Sequence, residues 1–212
     1  MKKITKYTLI AISYLFAMKF FFTIFPLMLA ENLFLARIET TLSLTAHFIL
    51  LLYFLNLRRN ILKDREHDFP LKILILALGL KFLSRILILF LTFKVDHYYF
   101  GNIFYHTRNF IPLFHSFALY YFFRNFRIHC DSSRFFLLKS TLKMNEIGFA
   151  LLSLINGIAL IDFFTTANLY QLLGEGNSIF KILSYMIVIF VFYASFKFYS
   201  SMFNIYNETR EI

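Results

Sequence analysis

Three cations, Lys19, Lys81 and Arg85, stand near the middle of long apolar stretches, and only one acidic residue, Asp162, lies comparably deep. A charge in such a stretch is expensive to hold in hydrocarbon, so it marks a ligand site, an ion path or a buried pair. His47, Arg108 and His115 add polar groups within other apolar stretches. Because cations outnumber carboxylates, the chemistry this set suits is the attraction of negative charge, as rings of Arg and Lys do in anion pores. It does not assemble a nucleophile with its base, an acid/base pair or a cluster of metal ligands.

Depth follows from counting at about 1.5 Å per residue along a helix. From residues 70, 123 and 147, the ends expected to face the cytoplasm, Arg85, Arg108 and Asp162 are each fifteen residues along. That places all three in one layer about 22 Å deep. Lys19, His47, Lys81 and His115 fall nearer the midplane. Residues three, four and seven apart share a helix face. Lys81 therefore continues into Arg85, Arg108 into His115 across Pro112, Asp162 into Thr165 and Thr166, and Glu39, Thr40, Ser43 and His47 form one stripe. Two arrangements are expected. Arg85 pairs with Asp162, since either charge alone would be costly. Lys19 and Lys81 hold an anion between them, helped by hydrogen bonds from Thr23, His47, Ser84 and His115. The expected ligand site is thus Lys19, His47, Lys81, Arg85, Arg108, His115 and Asp162.

Membrane helices must position these groups. The 212 residues are 59% hydrophobic, with 31 Phe and no Trp, a composition of the membrane class. Six segments reach the ~20 residues a spanning helix needs: 8–30, 38–57, 70–93, 102–123, 147–170 and 178–203. Pro70 suits the first turn of the third, and Glu31-Asn32, Gly101-Asn102 and Gly174-Glu175-Gly176-Asn177 read as turns. The expected fold is an all-α, polytopic integral membrane bundle of six transmembrane helices, a single domain over 1–212, in the cell membrane. The N-terminal apolar run follows Lys2, Lys3 and Lys6 as a secretory signal would, but it is too long and carries Lys19, so it reads as an uncleaved span. No internal repeat is evident, and Lys81/Arg85 has no counterpart in the last segment, which argues against an inverted-repeat transporter.

The net charge of +10 is sorted by side. Thirteen Lys and Arg lie in the N-terminus, the 58–69 and 124–146 connections and the tail, whereas the opposite connections hold only Arg37 and Lys94. Both termini are therefore expected in the cytoplasm. The 124–146 connection interleaves Arg124, Arg127, Arg134, Lys139 and Lys143 with Phe126, Phe135, Phe136, Leu137, Leu138 and Leu142. It reads as an interfacial basic helix on the anionic leaflet, capped at Asp131-Ser132, and a nucleic-acid patch is set aside because basic cytoplasmic loops are ordinary in membrane proteins. Cys130 is the one cysteine, so no internal disulfide forms; it reads as a reduced, inert cytosolic thiol, with palmitoylation as the alternative.

Three further patterns bear on function. His47 and His115, on different segments at similar depth, are the one pair placed to ligate a b-type haem; otherwise no cofactor is expected. Arg124-Asn125 with His129, and Arg108-Asn109 with His115, resemble the Arg-x4–6-His motif of HEPN ribonucleases over those few residues, and only the first copy would face the cytosol. Ser43-x3-His47 resembles the second-span motif of membrane hydrolases related to alkaline ceramidase, whose later His-x3-His is absent here. The first functional reading is a multi-pass protein that binds or conducts an anionic solute or headgroup. The rivals are a sensor or accessory module signalling to a separate cytoplasmic protein through the basic loop, and, third, a membrane enzyme. Expected partners are bilayer lipid, a small anion, and a second copy or a cytoplasmic protein.

Overall fold

In a computed structural model the described residues are 2–24, 33–60, 65–94, 97–129, 138–165 and 178–208; side chains are not described for 2, 19–24, 33, 36, 60, 65–67, 91–94, 97–109, 159, 162–165, 178–181 and 206–208. Within them the chain is entirely helical: α1 (Lys2–Ile24), α2 (Leu33–Asn60), α3 (Arg65–Lys94), α4 (His97–Ile128), α5 (Lys139–Thr165) and α6 (Ser178–Glu208). Among the described residues three helices are long and apolar enough to cross a membrane, over Arg37–Arg59, Asp68–Phe90 and Ile182–Ile205. In hydrocarbon the backbone has no water to bond, so a long apolar run satisfies its N–H and C=O groups internally as helix despite its many β-branched and aromatic residues.

Each helix packs on the next in sequence, and α1 also packs on α6, so the six close into a ring. The stacked rings of Phe16 and Phe192, with centroids 3.8 Å apart, sit at that closure. Among the described residues, every close approach of backbones is between ring neighbours; α3 and α5 are not adjacent.

The centre of the ring is filled at one end, which also carries Arg58, Lys72, Arg124, Arg127, Lys139 and Lys143 and is called the basic end below. Tyr53 and Phe54 of α2, Phe122, Phe123 and Phe126 of α4, and Phe198 and Tyr199 of α6 are all buried there. They meet edge to face: Tyr53 with Tyr199 at 5.0 Å, Phe54 with Phe122 at 5.3 Å and Phe123 with Phe198 at 5.1 Å between centroids. Alternate helices thus supply the aromatic filling, α3 lines it with Leu71, Leu74 and Ala77, and Leu142 of α5 and Leu138 just before that helix line it too. Where lipid tails compete for apolar contact, such interlocking packing is the main cohesive term.

Polar and glycine contacts fix the α4–α5–α6 side. Asn145 is fully buried and its Nδ2 donates to Thr141 O at 2.8 Å and across to Ala194 O at 2.9 Å, while Ser195 Oγ donates to Asn145 Oδ1 at 3.0 Å. One turn on, Gly148 lets α6 approach; a Cβ there would lie 3.0 Å from Val191 Cγ2 and 3.3 Å from the Phe190 ring. Between α4 and α5, Asn156 Nδ2 donates to Pro112 O at 3.3 Å and Ser116 Oγ at 3.2 Å.

Two expectations need correction. Helix α3 begins at Arg65 rather than at Pro70, because Asp68 organises an extra turn by accepting from Arg58 Nε at 2.7 Å and Lys72 Nζ at 2.5 Å. The 124–146 segment is also largely the ends of two core helices: α4 runs to Ile128, α5 starts at Lys139, and Phe126, Leu138 and Leu142 are 2%, 0% and 0% exposed. These three face the core, where a surface helix would turn them to lipid, and Phe135, Phe136 and Leu137 fall outside the described residues; the interleaved pattern is the same in either case. The Asp131-Ser132 cap falls outside the described residues.

Candidate functional site

The stripe on α2 faces inward, with Thr40, Ser43 and His47 at 3%, 1% and 2% exposure. His47 Nδ1 lies 2.6 Å from Ser43 O. A carbonyl only accepts, so Nδ1 carries the proton and Nε2 is the basic nitrogen of the neutral ring. This helix-internal bond orients the imidazole, and Lys81 and Arg85 of α3 lie within electrostatic reach of it.

Lys81 and Arg85, four residues apart, turn to different neighbours. Arg85 Nη1 reaches Glu39 Oε2 of α2 at 3.4 Å, with the two side chains 25% and 16% exposed. The Tyr14 hydroxyl of α1 is buried within electrostatic reach of both and makes no hydrogen bond among the described residues. Arg85 was expected to pair with Asp162; the carboxylate beside it is Glu39, the Asp162 side chain is not described, and α5 is not a ring neighbour of α3.

Lys81 turns toward α4, where its Nζ is 3.3 Å from His115 Nδ1. An ammonium only donates, so Nδ1 accepts and Nε2 carries the proton of the neutral imidazole. Both residues line a cavity of about 190 Å³ above the aromatic core, to which all six helices contribute. Its floor is Phe54, Phe123 and Tyr199, and among the described lining residues Ser195 is polar besides Tyr199, Lys81 and His115.

Four of the seven expected ligand-site residues, His47, Lys81, Arg85 and His115, therefore come together on neighbouring helices. Lys19, Arg108 and Asp162 belong to α1, α4 and α5, and their side chains lie outside the described set. No family model, no curated protein and no solved structure matches this chain. Among the described residues no three His, Cys, Asp or Glu side chains gather as metal ligands would. The chemistry the site offers is electrostatic: an ammonium at the wall of an apolar chamber, where a charge interaction is screened less than in water.

The expected surface patch divides. Arg124, Lys139 and Lys143 are exposed. Arg124 Nη1 donates to Tyr120 OH at 2.8 Å. Arg127 instead ties α4 to α5 by donating from Nε to Glu146 Oε2 at 2.5 Å and from Nη2 to Oε1 at 3.4 Å. The Glu146 hydrogen bonds hold its guanidinium pKa above the ordinary value. Arg134 is outside the described residues. Sequence reasoning placed Glu39 in the α2 stripe but missed it as a counterion, and it missed Tyr199 and Ser195 as cavity walls, which lie in an apolar stretch with nothing to mark them.

Proposed function

We propose that this chain is a multi-pass protein of the cell membrane, with six spans and both termini cytoplasmic, that binds an anionic solute inside its helix ring at Lys81 and His115. The observation that carries this reading is the Lys81 ammonium, 3.3 Å from an imidazole nitrogen of His115, at the wall of a cavity lined by all six helices. An anion beside Lys81 would take a charge-assisted hydrogen bond in low dielectric. Helices of 23, 32 and 27 residues in α1, α4 and α5 are long enough to span beside the three apolar ones. Binding is favoured over conduction because the buried aromatic side chains of α2, α4 and α6 occupy the axis below the chamber. The sensor reading draws on the same feature: occupancy of a chamber with a packed floor would be felt as a change in helix packing, and exposed Arg124, Lys139 and Lys143 would meet a cytoplasmic partner or the anionic leaflet.

The test uses purified protein in nanodiscs of neutral lipid, with chloride, phosphate and benzoate as probes. At least one is expected to bind and raise the unfolding temperature, and Lys19→Met/Lys81→Met is expected to remove that response while leaving the protein folded. An unchanged response in the folded double variant, or no response to any anion in the wild type, rules the reading out.

A further inference from the structure

Two facing stripes at the basic end lie outside the chamber. Tyr120, Arg124 and Arg127 of α4 are four and three residues apart and share one face, as do Lys139, Lys143 and Glu146 of α5. The Arg127–Glu146 ion pair clasps the two faces, so both stripes border the outer seam between α4 and α5. Among the described residues Glu146 is the carboxylate of this seam, and Arg127 holds it with two hydrogen bonds. Arg124 and Lys143 are exposed and form no ion pair among the described residues. Arg124 is oriented instead: its Nη1 donates to Tyr120 OH at 2.8 Å, with the guanidinium carbon 6.0 Å from the centroid of that ring. A hydroxyl carries no charge, so this bond fixes the guanidinium and leaves its charge and further N–H donors to an outside acceptor.

Deeper along the helices the same faces turn apolar. Phe117 and Phe110 continue the α4 stripe at 53% and 59% exposure, and the Phe117 ring lies 6.1 Å from that of Tyr120. Leu154, three turns beyond Lys143, continues the α5 stripe and is 63% exposed. Phe117 is about 10 Å below Arg124, within the ~15 Å of hydrocarbon in one leaflet. Cation, phenol and phenyl thus follow one another as phosphate, glycerol ester and acyl chain do in a phospholipid. A soluble acidic protein would meet the cations and leave Phe117 uncovered. Counting from the clasp, Arg124 lies three residues deeper and Lys143 three residues further out, so their levels differ by about 9 Å. The α3 face offers the contrast: Leu76, 58% exposed, lies one turn below Lys72, whose ammonium is held by Asp68.

We propose that the α4–α5 seam is a site for an anionic phospholipid, its phosphate on Arg124 with Lys143 above it, and an acyl chain along Phe117 and Leu154. This rests on the membrane reading of the chain and is independent of the chamber.

The chain has no Trp, so Phe117→Trp places a single fluorophore in the seam. The full chain carrying it is reconstituted in mixed vesicles of phosphatidylcholine and phosphatidylglycerol, with bromine on the acyl chains of one lipid or the other, and quenching reports which lipid lies beside residue 117. Phosphatidylglycerol is expected to be preferred by at least about fivefold, the contribution of one Lys or Arg near the surface. Arg124→Gln should reduce the preference by about fivefold and Lys143→Gln by less, and together they should bring the two lipids to parity. Leu76→Trp, beneath the paired Lys72, should report near parity in otherwise unchanged protein. If a Gln variant fails to insert, the two reporters decide alone. Equal preference at both reporters, or a preference that survives both Gln substitutions, would overturn the site. Quenching of Phe117→Trp by both lipids without preference would overturn it and leave the chain in the membrane, whereas no quenching by either would overturn the membrane reading as well.

Discussion

Replacing Glu39 should unbalance the α2–α3 seam more than any other single change among the inward-facing polar residues. The Arg85 guanidinium lies 3.4 Å from the Glu39 carboxylate, with three quarters or more of each side chain buried. At an effective dielectric of about 20 the Coulomb attraction at that distance is about 5 kcal/mol, set against the desolvation of both groups. Partial exposure lowers the usual 3–5 kcal/mol for breaking a buried pair, so about 2–4 kcal/mol is expected for Glu39→Leu. For a chain of this size that corresponds to a fall of roughly 5–15 °C in the unfolding midpoint. Arg85→Leu should cost a similar amount, and the double variant should recover at least about 1 kcal/mol of the summed loss, as residues in contact do in a double-mutant cycle. Thermal unfolding in detergent, followed by circular dichroism, measures all four proteins. Asp162→Ala, run through the same cycle with Arg85→Leu, should be additive because Arg85 is already held by Glu39. Additivity of Glu39 with Arg85, together with coupling of Asp162 to Arg85, would refute the pairing and restore Asp162 as the counterion.

Asn145→Ala should destabilise by about 1–3 kcal/mol, because it strands Ser195 and removes the bond to Ala194 O, and Ser195→Ala in that background should cost little more; thermal unfolding of the single and double variants reads this. Gly148→Ala should cost about 1–3 kcal/mol by pressing a methyl onto Val191 and Phe190, whereas Gly79→Ala, with nothing within 4 Å, should be neutral or stabilising by up to about 1 kcal/mol. Reporter fusions after residue 65 and after Ile212 should both report the cytoplasm, and an external signal from either would overturn the topology. Glu146→Gln should loosen the α4–α5 ends by roughly 1 kcal/mol or less, since Arg127 is 30% exposed and water screens it, and the effect should shrink at high salt.

The sequence alone determined what depends on one dimension. Long apolar runs with no alternative source of backbone hydrogen bonds become helices, and their number, approximate extents and concentration of charge at one end follow from counting. The α2 stripe also reads correctly: Thr40, Ser43 and His47 repeat at helical spacing and are all buried. What counting could not decide was which helix stands beside which, and at what rotation. Arg85 and Asp162 match in depth, but ring order puts α2, and so Glu39, against α3. The stripe contains Glu39, but depth alone favours Asp162 as the partner of Arg85. Counted from residue 57 Glu39 lies about 27 Å deep against about 22 Å for Arg85, a gap that two long side chains close. The basic segment shows the same limit, since Phe126, Leu138 and Leu142 have the periodicity of a lipid-facing helix and are core only because α4 and α5 extend and pack there. Depth is a sum along one chain, but azimuth and neighbour order are set by the packing of all six helices together, which is why the chamber around Lys81 and His115 exists only in the tertiary structure.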